Sequence, residues 1–75
     1  MYQPSDTDQK KLDTNFVYHQ PKGDQNTRYE TIRSSAKLFA EYLLSICPPS
    51  RELSLAITNL EQAVMWANAS IARNE

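Results

Sequence analysis

Two adjacent prolines divide the chain into two helical halves. The segment Cys47-Pro48-Pro49-Ser50 separates two heptad patterns of apolar residues. Proline lacks a backbone N–H, and its ring clashes with the preceding helical turn, so a helix does not continue through this segment. We therefore expect the chain to reverse here and to form an αα-hairpin with two long arms.

The apolar residues on both sides of the prolines recur at spacings of three and four. Before the prolines they are Tyr29, Ile32, Ala36, Phe39, Leu43 and Ile46. After the prolines they are Leu53, Ile57, Leu60, Val64, Ala67 and Ile71. Each set forms one stripe of an α-helix. The spacing predicts an all-α fold, an antiparallel two-helix hairpin with helices over about 26–46 and about 50–72.

Both predicted helices carry apolar residues beyond these stripes. The additional residues are Leu38, Tyr42 and Leu44 in the first helix and Ala56, Ala63, Met65, Trp66 and Ala69 in the second. Apolar side chains on more than one face of a helix indicate a second buried surface. We expect a helical homo-oligomer, most simply with closed symmetry. The alternative is a loosely folded monomer, since 75 residues make a marginal core.

The N-terminal residues differ in composition from the hairpin. Residues 1–15 are mostly polar and are predicted to be a flexible tail. Residues 16–75 are predicted to be the helical hairpin domain. Within it, Phe16-Val17-Tyr18-His19 is a short apolar and aromatic segment, and residues 20–26 form a turn-rich linker.

Composition excludes several functional classes. The net charge of −1 indicates neither a polymeric nucleic acid nor a membrane as partner. The single cysteine cannot form an internal disulfide, which fits a reducing cytoplasm. The single glycine excludes Gly-rich phosphate loops, and neither a signal peptide nor a run of 18 apolar residues is recognised.

The sequence offers little for catalysis or metal binding. His19 is the only histidine, and no carboxylate pair is placed near it or near Cys47. A nucleophile needs an oriented base, and zinc needs a cluster of ligands. We expect no enzymatic activity, no metal and no cofactor. Cys47 is interpreted as a small buried apolar residue.

Scattered basic and aromatic residues favour a small anionic ligand that contains a base. Arg28, Arg33 and Lys37 lie along the first helix, and Arg51 lies in the first turn of the second. Helix N-termini bind anions, although Arg51 could equally be solvated or paired with Glu52 or Asp24. Tyr18 and His19 can stack on a base, and Lys22 is nearby. His19 could equally be an ordinary packing residue.

Four segments resemble a known group of proteins. They are residues 16–25, beginning Phe-Val-Tyr-His, residues 28–33, residues 47–52 and residues 56–69. Together they resemble the phage-encoded anti-CBASS and anti-Thoeris sponges. The resemblance implies a helical hexamer that sequesters cyclic nucleotide signals of bacterial immune systems in the host cytoplasm without cleaving them. The implied ligands are cyclic dinucleotides, cyclic trinucleotides and cyclic ADP-ribose isomers.

The resemblance also implies particular ligand contacts. Tyr18 and Arg33 have the 15-residue spacing of the tyrosine and basic residue that hold a cyclic dinucleotide in the anti-CBASS sponges. The residues that match a separate pocket for cyclic trinucleotides are Ser35, Arg51 and Thr58. The chain departs from that pattern at two positions, because Arg33 replaces a lysine and Glu52 replaces a tryptophan.

Two rival functions remain. The exposed apolar faces also suit a small protein-interaction module or inhibitor that docks onto a host protein. A nucleic-acid binder is the third class, and the acidic pI of about 5.7 argues against it.

Overall fold

The computed structural model describes residues 2–75 and consists of three α-helices. Helix α1 spans Asp6–Asn15, α2 spans Gln25–Ile46 and α3 spans Arg51–Asn74. The described residues form no strand, so the all-α prediction is confirmed. None of these helices is long and apolar enough to cross a membrane.

Helices α2 and α3 form the predicted antiparallel hairpin. Helix α2 ends at Ile46, directly before Cys47 and the two prolines. Ser50 caps α3, because its side-chain oxygen accepts a hydrogen bond of 3.1 Å from the backbone N–H of Leu53. Glu52 lies in the first turn of α3, where the helix dipole favours a negative charge. Local sequence therefore fixes both helix ends at the reversal.

The prediction of two helices was wrong in number, because residues 6–15 of the expected tail form α1. A capping box starts this helix. The Ser5 hydroxyl accepts from the backbone N–H of Asp8 at 3.0 Å, and the Asp8 carboxylate accepts from the backbone N–H of Ser5 at 3.4 Å. Asp6 and Asp8 also favour the positive end of the helix dipole. The low apolar content of residues 6–15 gave no periodic signal for this helix, which is stabilised by the hydrogen bonds of its capping box.

The hairpin is a single layer of helices without an enclosed core. The chain as a whole, including α1, has principal extents of 50 × 37 × 13 Å, and its radius of gyration of 16.9 Å exceeds the roughly 11 Å of a compact domain of this length. Among residues 2–75, only Leu53 and Gln25 are classed as buried. The facing heptad stripes are mostly half-buried, including Leu43, Ile57 and Leu60.

Much apolar surface consequently stays exposed. The accessible surface is 6344 Å², whereas a compact folded protein of 8.6 kDa exposes about 4,700 Å². The exposed large apolar residues of α2 and α3 are Leu38, Phe39, Tyr42, Leu44, Ile46, Leu55, Met65 and Trp66. Most of the residues predicted to form a second apolar face therefore lack partners within one chain.

A polar clasp joins the open ends of the hairpin. Arg28 donates two hydrogen bonds to the carboxylate of Glu75 and one of 3.1 Å to Asp24. Gln25 is 4% exposed, and its amide donates to Glu75 at 3.3 Å and accepts from the backbone N–H of Lys22 at 3.1 Å. The clasp therefore connects the linker and the start of α2 with the end of α3.

The clasp predicts a pH-dependent stability. Hydrogen bonds from Arg28 and then Gln25 lower the pKa of Glu75 from 4.5 to about 2. A lowered folded-state pKa stabilises the fold fully above the unfolded value, and this contribution is lost as the pH falls from about 4.5 towards 2. We expect Glu75→Gln to lower the thermal midpoint at pH 7 and to lower it much less near pH 2.

The control is Glu41→Gln, which removes an exposed carboxylate of α2 that makes no ion pair. Circular dichroism melts of the three proteins at pH 7 and pH 2 provide the comparison. Equal midpoints for Glu75→Gln and wild type at pH 7 would show that the clasp does not stabilise the hairpin.

Candidate ligand-binding site

Three neighbouring cavities that share lining residues lie along α2 and α3. The cavity near the reversal includes Leu53 and Ile57, and the middle cavity shares Ile57 with it. The middle cavity shares Arg33 with a third cavity at the open end of the hairpin. The three cavities therefore follow one another from the reversal to the open end of the hairpin.

The middle cavity differs chemically from the cavity at the open end. Ala36, Ala40, Ile57, Leu60 and Val64 form most of the middle cavity. Small and aliphatic side chains of this kind favour the close approach of another helix. The middle cavity is therefore interpreted as a packing surface and not as a polar ligand site.

The open-end cavity, here called the aromatic pocket, has the composition of a ligand site. Its volume is about 390 Å³, within the usual range of small-molecule pockets. Its lining consists of Asn15, Val17, Tyr18, His19, Tyr29, Arg33, Asn68, Ala69, Ala72 and Arg73. Residues from the end of α1, the following segment and both long helices therefore meet there.

The aromatic segment after α1 is held by a local hydrogen bond. His19 Nε2 lies 2.6 Å from the carbonyl oxygen of Thr14. A carbonyl oxygen only accepts, so Nε2 carries the hydrogen and the His19 ring is the donor. This bond folds the segment back on the end of α1. Tyr18, which is 81% exposed, consequently lies at the rim of the pocket with its ring accessible to a ligand.

The pocket combines positive charge with three aromatic rings. Arg33 and Arg73 are exposed, and the ion pairs found among residues 2–75 involve neither of them. None of the lining residues is Asp or Glu. Arginine binds phosphate through paired hydrogen bonds, and aromatic rings stack on nucleobases. The pocket can therefore hold a phosphate and a base at the same time.

Asn68 contributes a polar group that the fold leaves unpaired. Its side-chain oxygen is buried and has no hydrogen-bond partner among the described residues. A buried acceptor without a hydrogen-bond partner destabilises the folded state by about 1–3 kcal/mol. Unfavourable groups of this kind are concentrated at functional sites. Asn68 also lines the aromatic pocket, which connects this unfavourable group with the pocket.

Three residues predicted from the sequence come together in this pocket. Tyr18 and His19 reach it from the segment after α1, and Arg33 reaches it from the third turn of α2. The 15-residue separation between Tyr18 and Arg33 is closed because the linker turns back at Gly23, whose φ of +59° is in the left-handed region.

Two other predicted residues lie in or beside the polar clasp. The guanidinium of Arg28 is bonded to Asp24 and Glu75, and these carboxylates raise its pKa further. The backbone N–H of Lys22 donates to Gln25. Neither residue lines the aromatic pocket. Arg28 therefore has a structural role in the single chain.

The remaining predicted residues lie outside the aromatic pocket. Ser35 and Thr58 are exposed on α2 and α3. Arg51 is exposed at the start of α3, about 20 Å along the arm from Arg33 at 1.5 Å per residue. Within one chain, a single small ligand cannot contact both Arg33 and Arg51. Cys47 is half-buried beside the reversal.

Sequence reasoning missed Tyr29, Asn68 and Arg73 as residues of the pocket. The spacing of Tyr29 predicts only a packing residue, and Arg73 lies far from Arg33 in the sequence. A signal was available, because an antiparallel hairpin places the last turns of one helix beside the first turns of the other. That pairing brings Arg73 into the same cavity as Tyr29 and Arg33.

The family comparison agrees with this fold. The sequence model of the Acb2/Tad1 hairpin domain matches residues 8–72. The chain therefore belongs to the Acb2/Tad1 hairpin family of anti-CBASS and anti-Thoeris sponges, and the predicted resemblance is confirmed. The match begins within α1, earlier than the resemblance that started at Phe16. No significant match was found among curated proteins or among solved structures.

The unpaired oxygen of Asn68 yields a stability prediction. We expect Asn68→Ala to raise the free energy of unfolding by about 1 kcal/mol more than Asn59→Ala does. Both substitutions gain helix propensity, but Asn59 is exposed on α3, so only Asn68→Ala removes a buried acceptor without a partner.

Urea unfolding monitored by circular dichroism measures both differences. A greater loss of stability in Asn68→Ala than in Asn59→Ala would contradict the interpretation, because it would mean that the Asn68 amide is satisfied in the folded protein.

Proposed function

We propose that this protein is a phage sponge that sequesters cyclic oligonucleotide or cyclic ADP-ribose-type signals without cleaving them. The family assignment gives the class of protein. The observation that carries the proposal is the meeting of Tyr18, His19 and Arg33 in one cavity together with Tyr29 and Arg73. Bases and phosphates are the groups that this combination recognises.

The ligand contacts follow from the chemistry of the pocket. Tyr18 stacks on a base as a movable rim, while Tyr29 lies half-buried on α2 and supplies the fixed wall. Arg33 and Arg73 bind phosphate oxygens, each through a planar group that reaches two oxygens at once. Charge attraction and stacking act on the same molecule, which favours tight binding.

The proposed mechanism is retention of the signal. Sequestration requires slow release, and it requires no bond to break in the ligand. The lining of the pocket supports this mechanism, because its one imidazole uses Nε2 to hold Thr14 and its charged groups are all cationic. In this site His19 is a positioned ring that can stack on a base.

We further propose that the functional form is a homo-oligomer, with a hexamer expected from the family resemblance. The exposed apolar side chains of α2 and α3 and the large surface of the single layer support an assembly. An assembly also offers a role for Ser35, Arg51 and Thr58, because neighbouring chains can bring opposite ends of two hairpins together. These three residues then belong to a second kind of pocket for cyclic trinucleotides.

The function is tested by calorimetric titration with cyclic dinucleotides, cyclic trinucleotides and cyclic ADP-ribose isomers. We expect Arg33→Gln to weaken binding of the preferred cyclic dinucleotide at least tenfold, because it removes a phosphate contact that carries charge. Tyr18→Ala should weaken it by a similar factor through lost stacking.

The matched control is Arg51→Gln, which removes the same charge at the opposite end of the hairpin and should change cyclic dinucleotide affinity less than twofold. A wild-type protein that binds none of the panel contradicts the sponge function. In that case a stable complex with a host protein would favour the alternative of a protein-interaction module.

A further inference from the structure

A second cavity adjoins the aromatic pocket on the side of α1. It has a volume of about 360 Å³ and lies between α1 and the end of α3. Its lining residues are Thr7, Lys10, Lys11, Thr14, Asn15, Arg73 and Asn74. Asn15 and Arg73 also line the aromatic pocket, so the two cavities are contiguous. We call the second one the lysine pocket.

The two cavities concentrate positive charge in a chain that is slightly acidic. The sequence has 9 acidic and 8 basic residues, yet neither lining includes a carboxylate. The four cations of the two linings are Lys10, Lys11, Arg33 and Arg73. The ion pairs among residues 2–75 are both made by Arg28, so none of these four cations is neutralised by a carboxylate within the chain. Such segregation raises the local concentration of anions.

The arrangement on α1 is suited to an anion with several oxygens. Thr7, Lys11 and Thr14 recur at spacings of four and three, so they share one face of α1, with Lys10 beside them. Hydroxyl groups and ammonium groups both donate hydrogen bonds, and lysine acts as a point charge towards phosphate. Arg73 completes the pocket from α3 with a guanidinium that can bind two oxygens.

We propose that the lysine pocket is a phosphate subsite, in which Lys10, Lys11 and Arg73 bind a phosphate of the same nucleotide whose base and first phosphate occupy the aromatic pocket. The nucleotide identity of the ligand rests on the proposed function, whereas the subsite itself rests on the charges and the cavity. Helix α1 is then a part of the binding site, to which it contributes Lys10 and Lys11. Arg73 of α3 lines both cavities.

Inorganic pyrophosphate tests the subsite without assuming the identity of the nucleotide. We expect the wild-type protein to bind it, and the double substitution Lys10→Gln/Lys11→Gln to weaken this binding at least tenfold. The remaining pyrophosphate affinity of this variant should fall less steeply with added salt than that of the wild-type protein, because fewer charges contact the ligand. Calorimetry at low and moderate ionic strength gives both quantities.

The control is Lys22→Gln/Lys37→Gln, which removes the same charge from residues that line neither cavity. It should change pyrophosphate affinity less than twofold. The proposal is overturned if the wild-type protein does not bind pyrophosphate, or if the two double substitutions weaken it equally. Circular dichroism of both variants shows whether helix content is retained.

A cyclic dinucleotide titration with the same variants separates this proposal from the sponge function. Tight binding by wild type with an unchanged affinity in Lys10→Gln/Lys11→Gln overturns the subsite and leaves the function standing. Pyrophosphate binding that depends on Lys10 and Lys11, without binding of any cyclic nucleotide, supports the subsite and contradicts the function.

Discussion

A layer of two helices cannot cover its own apolar side chains, and this constraint governs the molecule. The shortest extent of the chain is 13 Å, and Phe39, Tyr42 and Trp66 remain more than half exposed. The residues of the two heptad stripes pack only along the contact between α2 and α3, here called the seam. Hydrophobic stabilisation from that seam is small, because most of the large apolar side chains of α2 and α3 stay exposed within one chain. The assembly that we propose would cover this exposed surface, and the family resemblance implies it as well.

The two ends of the hairpin are stabilised by different kinds of interaction. The reversal is fixed by local chemistry, through two prolines and the Ser50 cap. The open end is fixed by groups far apart in the sequence, since Arg28 and Gln25 bond to Glu75. The aromatic pocket lies at this open end, beside the clasp, where α1 and the segment after it fold back. The clasp therefore holds together the two helix ends that build the site.

The sequence was sufficient to predict most of the hairpin. Proline chemistry and three-four spacing predicted the reversal and both long helices, because these features depend on neighbouring residues. The same reasoning missed α1, because its residues lack apolar periodicity, although Ser5 and Asp8 have the spacing of a capping box. A polar helix has no such periodicity.

The site was predictable only in part. Tyr18, His19 and Arg33 were selected for their chemistry, and the fold brings them together. Arg73 and Asn68 were missed because their proximity to Arg33 depends on how the helices pair. Arg28 was selected as a ligand contact, but its partner Glu75 is 47 positions away, and no local pattern reveals that pair. Arg51 and Thr58 lie outside the aromatic pocket, and the second pocket that we propose for them depends on contacts between chains, which local sequence patterns do not reveal.

Native mass spectrometry of the protein with its preferred cyclic nucleotide tests the central claim most directly, because a single spectrum gives the number of chains, the number of ligands and the ligand mass. The account predicts a complex of several chains, six according to the family resemblance, that retains ligand of unchanged mass. A single chain without ligand, or a complex that contains only a cleaved product, would contradict it.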